Sequence, residues 1–256
     1  MNKAMDSFVD FSGRRIVLSG ATSGIGSAIA SLLAHYNANL VLLGRNQEKL
    51  DALKNQISTG DHHSLVIDLE NTASIANSLK PLFADLKPLY GLCHCAGLVE
   101  TRPLSASRPE VLDRHMKVNL VAGIELSRLV ANRTLCQDGE GSIVFMSSVY
   151  ASVGAPGQIA YCASKGAAKS AVKAMALEMA PRKIRVNSIS SGFIRTEMTA
   201  RNSRLNDAQT SSIIDKHPLG EGNAIDVARA TAFLLAPENR WITGIDLKVD
   251  GGYTAQ

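Results

Sequence analysis

The stretch YCASKGAA, beginning at Tyr161, sets a phenol four residues before the ammonium of Lys165. On a helix two side chains at that spacing face the same way. A tyrosine, with an ordinary pKa of about 10, can ionise near neutral pH only if its phenolate is stabilised by about three pKa units, or about 4 kcal/mol. A nearby ammonium is one source of that stabilisation. Ser148 stands thirteen residues upstream, where a hydroxyl could hydrogen-bond an oxygen that gathers negative charge. Its neighbour Ser147 is read as a bystander, and Cys162 gains no role. Asn119 falls within a predicted helix, an unfavourable place for an amide unless its side chain serves backbone or water.

These residues need a scaffold. Short apolar, β-branched runs recur along the chain: RRIVLS from Arg14, NLVLLG from Asn39, HSLVIDL from His63, LYGLCHC from Leu89, GSIVFMSS from Gly141, IRVNSIS from Ile184 and GIDLKVDGG from Gly244. Their continuous hydrophobicity predicts strands covered on both faces. Segments of helical periodicity such as IGSAIASLLAHY and GAAKSAVKAMALEMA lie between them. The alternation predicts one α/β domain over residues 1–256, a Rossmann-type doubly wound parallel sheet of about seven strands with helices on both faces. Residues 1–12 read as a short N-terminal extension. Ligands of such sheets collect beyond the carboxyl ends of the strands.

The first strand runs into SGATSGIG, which carries Gly20, Gly24 and Gly26, and then into an apolar-striped helix. Strand, glycine turn and helix N-terminus together suit a pyrophosphate, because bare backbone comes close and free N–H groups face the charge. The ribose-reading residue is expected at the end of the second strand, which reads Leu43-Gly44-Arg45-Asn46. No carboxylate stands there to accept from a 2′-hydroxyl, whereas the Arg45 guanidinium suits a 2′-phosphate. NADP(H) is therefore expected in preference to NAD(H).

Composition narrows the class. Apolar residues make up 45% of the chain and charged residues 20%, with a formal net charge of +4. Basic residues are scattered among acids, which speaks against a nucleic-acid face. No segment approaches the roughly 20 apolar residues of a membrane span, and MNKAMDSFVDF lacks the apolar core of a secretory signal, so the expected location is cytoplasmic. On an extended strand Cys93 and Cys95 point to one face and His94 to the other, so the three cannot share a metal. Cys93, Cys95, Cys136 and Cys162 are read as structural core thiols and no metal site is expected.

Taken together, these motifs resemble the short-chain dehydrogenase/reductase family, from about Gly13 to Tyr253. The family's glycine turn matches Ser19-Gly20-Ala21-Thr22-Ser23-Gly24-Ile25-Gly26, its Asp after the third strand matches Asp68-Leu69, and its Asn-Asn-Ala-Gly matches His94-Cys95-Ala96-Gly97. Its catalytic set matches Asn119, Ser148, Tyr161 and Lys165, and its Pro-Gly loop matches Ser191-Gly192, followed by Ile194 and Thr196. The resemblance implies hydride transfer between nicotinamide and a carbonyl or secondary alcohol, with Tyr161 as general acid/base. It further implies that Lys165 holds the nicotinamide ribose, that Asn119 joins a water relay to Lys165, and that Ile194 and Thr196 contact the carboxamide. Two departures stand out. Cys95 replaces an asparagine that would bond within the sheet, and Ser191 replaces a proline, which predicts a more mobile loop.

The polar segment at about residues 193–217 resembles the family's substrate lid, and the regions around Val99 to Arg102 and Tyr150 to Gly154 are expected to join it at the cleft. The best single substrate is a 3-oxoacyl thioester, the branch most resembled being the 3-oxoacyl-acyl-carrier-protein reductases. Alternatives are a sugar, polyol, steroid or other small ketone or alcohol, and, in a different class, a catalytically idle NADP-binding regulator. An acidic acyl carrier protein would need a basic patch, which Arg182, Lys183 and Arg185 could supply, although Asp138 and Glu140 occupy a loop that such reductases often make basic. The resemblance also implies a homotetramer or homodimer through the helices carrying Tyr161 and Asn119.

Overall fold

The computed structural model describes residues 9–22, 24–57, 59–136, 139–196 and 207–256. Ser23, Asp138, the first eight residues of the expected extension and residues 197–206 of the expected lid lie outside them. Seven strands form one sheet in the order β3-β2-β1-β4-β5-β6-β7: β1 Arg15–Ser19, β2 Asn39–Gly44, β3 His63–Val66, β4 Gly91–His94, β5 Gly141–Ser148, β6 Ile184–Ser191 and β7 Asp246–Val249. Every pairing is parallel. The sheet is the Rossmann-type architecture expected from the alternating pattern.

Alternation along the strands sorts the core into two layers. Ile16, Leu18, Leu40 and Leu42 face one layer, where they meet α1 (Gly24–His35), α2 (Gln47–Gln56) and α8 (Ala224–Leu235) through Ile29, Leu33, Leu50, Val227 and Leu234. Val17, Val41, Leu43 and Leu92 face the other layer and meet α3 (Ile75–Leu86), α5 (Ala122–Val130) and α6 (Ile159–Met179). Cys93 and Cys95 both pack into the first layer, and His94 turns into the second against Phe145. The face assignment read from the sequence therefore holds. Among the described residues no helix is long and apolar enough to cross a membrane.

Chain order runs outward from β1 in both directions, with β2 and β3 on one side and β4 onward on the other. The carboxyl ends of β1 and β4 thus part at a switch point, where crossovers leave to opposite faces and a crevice opens. The glycine turn, Ala96, Ser148 and Ser191 all stand along that edge.

The opposite edge corrects one expectation. Arg185 lies near the start of β6 and is only 6% exposed. Its guanidinium donates to the carbonyls of Leu234 (2.6 Å), Leu235 (3.2 Å) and Ala236 (2.9 Å), closing the C-terminus of α8. Planar donors beside orphan helix carbonyls satisfy groups that burial would otherwise strand. Arg182 donates to the carbonyl of Ala131. Two of the three basic residues of that cluster, Arg182 and Arg185, are therefore committed to backbone carbonyls at the amino ends of the strands, away from the cleft, while Lys183 beside them stays exposed. Glu140 is likewise engaged, paired with Arg14 at 3.3 Å.

Candidate active site

The glycine turn approaches the sheet closely. Gly20 has φ +69°, and a Cβ there would lie 2.7 Å from the backbone of Ala96. At Gly26 a Cβ would fall 2.0 Å from the carbonyl oxygen of Gly20, so the first turn of α1 can fold over the loop only without a side chain. This bare-backbone cradle opens into a cavity of about 360 Å³ that also borders Thr22, Gly24, Ile25, Arg45, Asp68, Leu69, Ala96, Gly97, Tyr161, Lys165 and Thr196. Its length runs from the end of β2 to α6, and its donors suit a dinucleotide: backbone N–H groups at the turn, and Arg45 and Lys49 where a phosphorylated ribose would lie. Lys49, one helical turn beyond Arg45, went unremarked in the sequence, where that spacing was the available signal. So did Asn46, whose Oδ1 accepts from Lys49 N at 2.8 Å to cap α2.

A second cavity of about 190 Å³ meets the first at Tyr161, Ile25, Ser191 and Thr196. It is lined by Val99, Ser148, Tyr150, Gly192, Phe193 and Ile194, among others. Gly192 and Ile194 thus border this cavity and not the longer one. The regions expected to meet a substrate, around Val99 and Tyr150, are both present here.

Tyr161 is half-buried on the first turn of α6, its ring edge-on to Tyr150 at 6.3 Å. Burial pushes its phenol up to about 12, and the hydrogen bond with Ser148 pulls the other way. Ser148 ends β5 in extended conformation, and its Oγ accepts from Tyr150 N at 3.2 Å, which fixes the oxygen at the second cavity, beside Tyr161. Ser147 borders the first cavity instead, its hydroxyl donating to the carbonyl of Lys165 at 3.4 Å. Lys165 is 3% exposed, and its Nζ donates to the Met146 carbonyl at 2.7 Å and stands 5.6 Å from the Tyr161 ring centroid. Burial lowers this ammonium to about 8. Burial is the largest influence on both Tyr161 and Lys165, and it drives each group toward its neutral form.

Asn119 lies on a π-helical turn, Lys117–Val121, between α4 (Pro109–Met116) and α5. Its Oδ1 accepts from Leu98 N at 2.7 Å, while Nδ2 donates to the Leu98 carbonyl at 2.9 Å and to Ser164 Oγ at 2.8 Å. The side chain therefore clamps the loop after β4 to α6, and both amide hydrogens are committed. The widened turn supplies the inward direction that an ordinary helical residue would lack.

His94 was passed over in the sequence except as a strand residue. It is fully buried, with Nδ1 2.9 Å from Ser19 Oγ and Nε2 3.1 Å from the Val118 carbonyl. Nε2–H must donate to that carbonyl, so Nδ1 accepts from the Ser19 hydroxyl, which in turn accepts from Ala96 N at 3.3 Å. Burial holds the imidazole neutral by lowering it to about 3. This chain of bonds joins β1, β4 and the π-turn beside Asn119. Beside it the Cys95 thiol is pushed up to about 12 by burial and stays protonated.

Fold and site define a dinucleotide-binding α/β oxidoreductase. A family model described as enoyl-(acyl carrier protein) reductase matches residues 20–254. The chain is 35% identical over 246 residues to a 3-oxoacyl-[acyl-carrier-protein] reductase of Rickettsia bellii, covering 95% of this chain and 98% of that one. A candidate NAD(P)-dependent gluconate 5-dehydrogenase of Beutenbergia cavernae, solved with bound NADP, superposes with a TM-score of 0.90 at 30% identity, over 96% of this chain and 99% of the other. A 4-hydroxyisoleucine dehydrogenase complexed with NADH gives a TM-score of 0.86 at 34% identity, over 95% and 99%. The chain belongs to the short-chain dehydrogenase/reductase family of nicotinamide-dependent oxidoreductases acting on C=O and CH–OH groups.

Proposed function

We propose that the protein is an NADP(H)-dependent carbonyl reductase or alcohol dehydrogenase in which Tyr161 is the general acid/base. The observation that carries this reading is the junction of the two cavities: Tyr161 borders both, with Ser148 on one and Lys165 on the other. The glycine turn, with Thr22, Ser23, Gly24 and Ile25, would cradle the pyrophosphate. Arg45 would grip the 2′-phosphate, and Asp68, Leu69, Ala96 and Gly97 would border the adenosine. Gly192, Ile194 and Thr196 would flank the nicotinamide end. When bound, the cofactor supplies or accepts the hydride.

The protein's own task is to hold the carbonyl and move a proton. A carbonyl oxygen seated between Ser148 and Tyr161 receives a hydrogen bond from each, and these strengthen as negative charge develops. Tyr161 then gives up its proton. A phenol held at about 12 is fully protonated near neutrality, the form that serves reduction. Lys165, fixed by Met146 and lying beside Gly97, would hold the ribose and stabilise the phenolate once formed. Asn119 acts as a positioning residue through Leu98 and Ser164.

For substrate, the 35% identical relative favours a 3-oxoacyl thioester. A second reading, another small ketone or alcohol, is favoured by the placement of Arg182 and Arg185 away from the cleft, where both are spent on backbone carbonyls and leave Lys183 alone of the expected carrier-protein patch. Assembly as a homotetramer or homodimer is proposed through α4–α5 and α6, which expose Leu112, Val121, Ile124 and Ile159; light scattering showing a monomer would refute it. Oxidation of NADPH in the presence of 3-oxoacyl thioesters, keto-sugars, diketones and cyclic ketones tests the function. Turnover of at least one is expected; tight NADPH binding with no turnover of any would make the chain a regulator.

A further inference from the structure

His217 follows α7 (Asp207–Ile214) and lies beneath the loop that leaves β6. It is 5% exposed. Its Nδ1 lies 2.9 Å from the carbonyl of Ile213, and its Nε2 accepts from the backbone N–H of Phe193 at 3.0 Å. The first contact requires a hydrogen on Nδ1, which leaves Nε2 as the acceptor the second contact needs. The ring is packed against Tyr253 at 4.7 Å between centroids. A Cβ at Gly192 would lie 2.8 Å from Nε2, so the loop rests directly on the imidazole.

Two further ties follow in register. Ile194 forms a parallel bridge with Gly222, and Arg195 pairs with Glu221 at 2.8 Å. The stretch from Phe193 to Arg195 is thus clamped to the stretch from His217 to Gly222. The Gly192 N–H is also held, by the Val249 carbonyl at 2.9 Å, but it is the His217 bond that has both its partners on the cavity wall, which His217 and Phe193 share with Ile194 and Tyr253. The exposed Arg195–Glu221 pair is worth little by comparison.

We propose that His217 is a positioning residue for the reaction: its neutral imidazole, by accepting from Phe193 N–H, fixes the Gly192–Thr196 loop against the cavity at Tyr161. It supplies the restraint that a proline at Ser191 would have given. The inference rests on the proposed function in one respect, that this loop flanks the reacting end of the cofactor and the carbonyl.

Two variants separate the bond from the packing. His217→Leu fills the site but removes the acceptor, whereas the side-chain carbonyl of His217→Gln can accept from Phe193 N–H. Amide hydrogen exchange of the peptide spanning 191–196 should be slow in the wild type and in His217→Gln, and at least about tenfold faster in His217→Leu, the loss of a buried bond. With a carbonyl substrate, kcat should fall about 10- to 100-fold in His217→Leu and recover to within about fivefold in His217→Gln. Affinity for 2′,5′-ADP, which probes only the adenosine end, should stay within about twofold in both variants. Unchanged exchange in His217→Leu, or a His217→Gln variant no better than His217→Leu with both folded by circular dichroism, would overturn the proposal. Failure of the wild type to reduce any carbonyl would overturn the proposed function alone, since the exchange experiment reads the loop without turnover.

Discussion

The two ends of the crevice are built on opposite principles. At the end proposed to hold the adenosine the protein withdraws side chains: Gly20 and Gly26 leave bare backbone, and charge comes from Arg45, which is exposed at the rim. At the end proposed to hold the carbonyl it buries them: Lys165 and Asn119 are almost wholly enclosed, with Ser148 close behind. The difference follows from what each end must hold. Phosphates keep their charge throughout and can be met by fixed dipoles and solvated cations. A proton that moves needs groups whose affinities are shifted from their aqueous values, and burial is the means of shifting them. Tyr161 at about 12 and Lys165 at about 8 are displaced in opposite senses by the same desolvation.

The sharpest test of that division is Tyr161→Phe. It should lower turnover by about 10²–10⁴-fold, and NADPH affinity by fluorescence titration should stay within about threefold. A loss of cofactor binding in proportion to turnover would erase the distinction between the two ends. The reverse change is Gly26→Ala, whose new Cβ would meet the Gly20 carbonyl at 2.0 Å. It should weaken NADPH binding by at least about 100-fold and lower the melting temperature, since overpacking costs about 1–3 kcal/mol. Cofactor binding close to wild type would show that the cradle is not the phosphate site.

A smaller effect distinguishes the cofactors. Arg45→Ala should raise the KM for NADPH about 10- to 100-fold, the worth of a charge-assisted hydrogen bond, with the NADH value unchanged. Equal shifts for both would remove the 2′-phosphate from the reading. Lys165→Met should abolish activity yet stabilise the fold by about 1–3 kcal/mol at pH 7, because an ammonium displaced from 10.5 to about 8 by burial destabilises the native state while charged. The sign is checked by pH. Between about 8 and 10.5 the unfolded chain binds more protons than the native one at this group, so wild-type stability gains from it as pH rises. Urea midpoints should show that gain in the wild type and its loss in Lys165→Met.

Much of the site was legible because its spacing is local. Tyr161 and Lys165 share a helix face, and the glycine turn joins strand to helix within a few residues. The misreadings were all long-range. Arg185 reads as a surface cation until β6 carries it under the end of α8, where three helix carbonyls meet it. His94 reads as a strand residue and His217 as the end of a polar segment. Each has a role only because a backbone group 24 residues away in sequence comes within hydrogen-bonding reach.

The sequence by itself determined the strand pattern and the two-layer core and singled out the groups proposed to move a proton, since periodicity and residue chemistry act over one or two turns. The tertiary structure alone decided how those groups are tuned. Desolvation depends on everything packed around a side chain, and it sets Tyr161 and Lys165 where no reading of neighbours along the chain could place them. The same holds for the two neutral histidines, whose hydrogen-bonding partners lie on other segments and whose roles exist only once the sheet has brought those segments together.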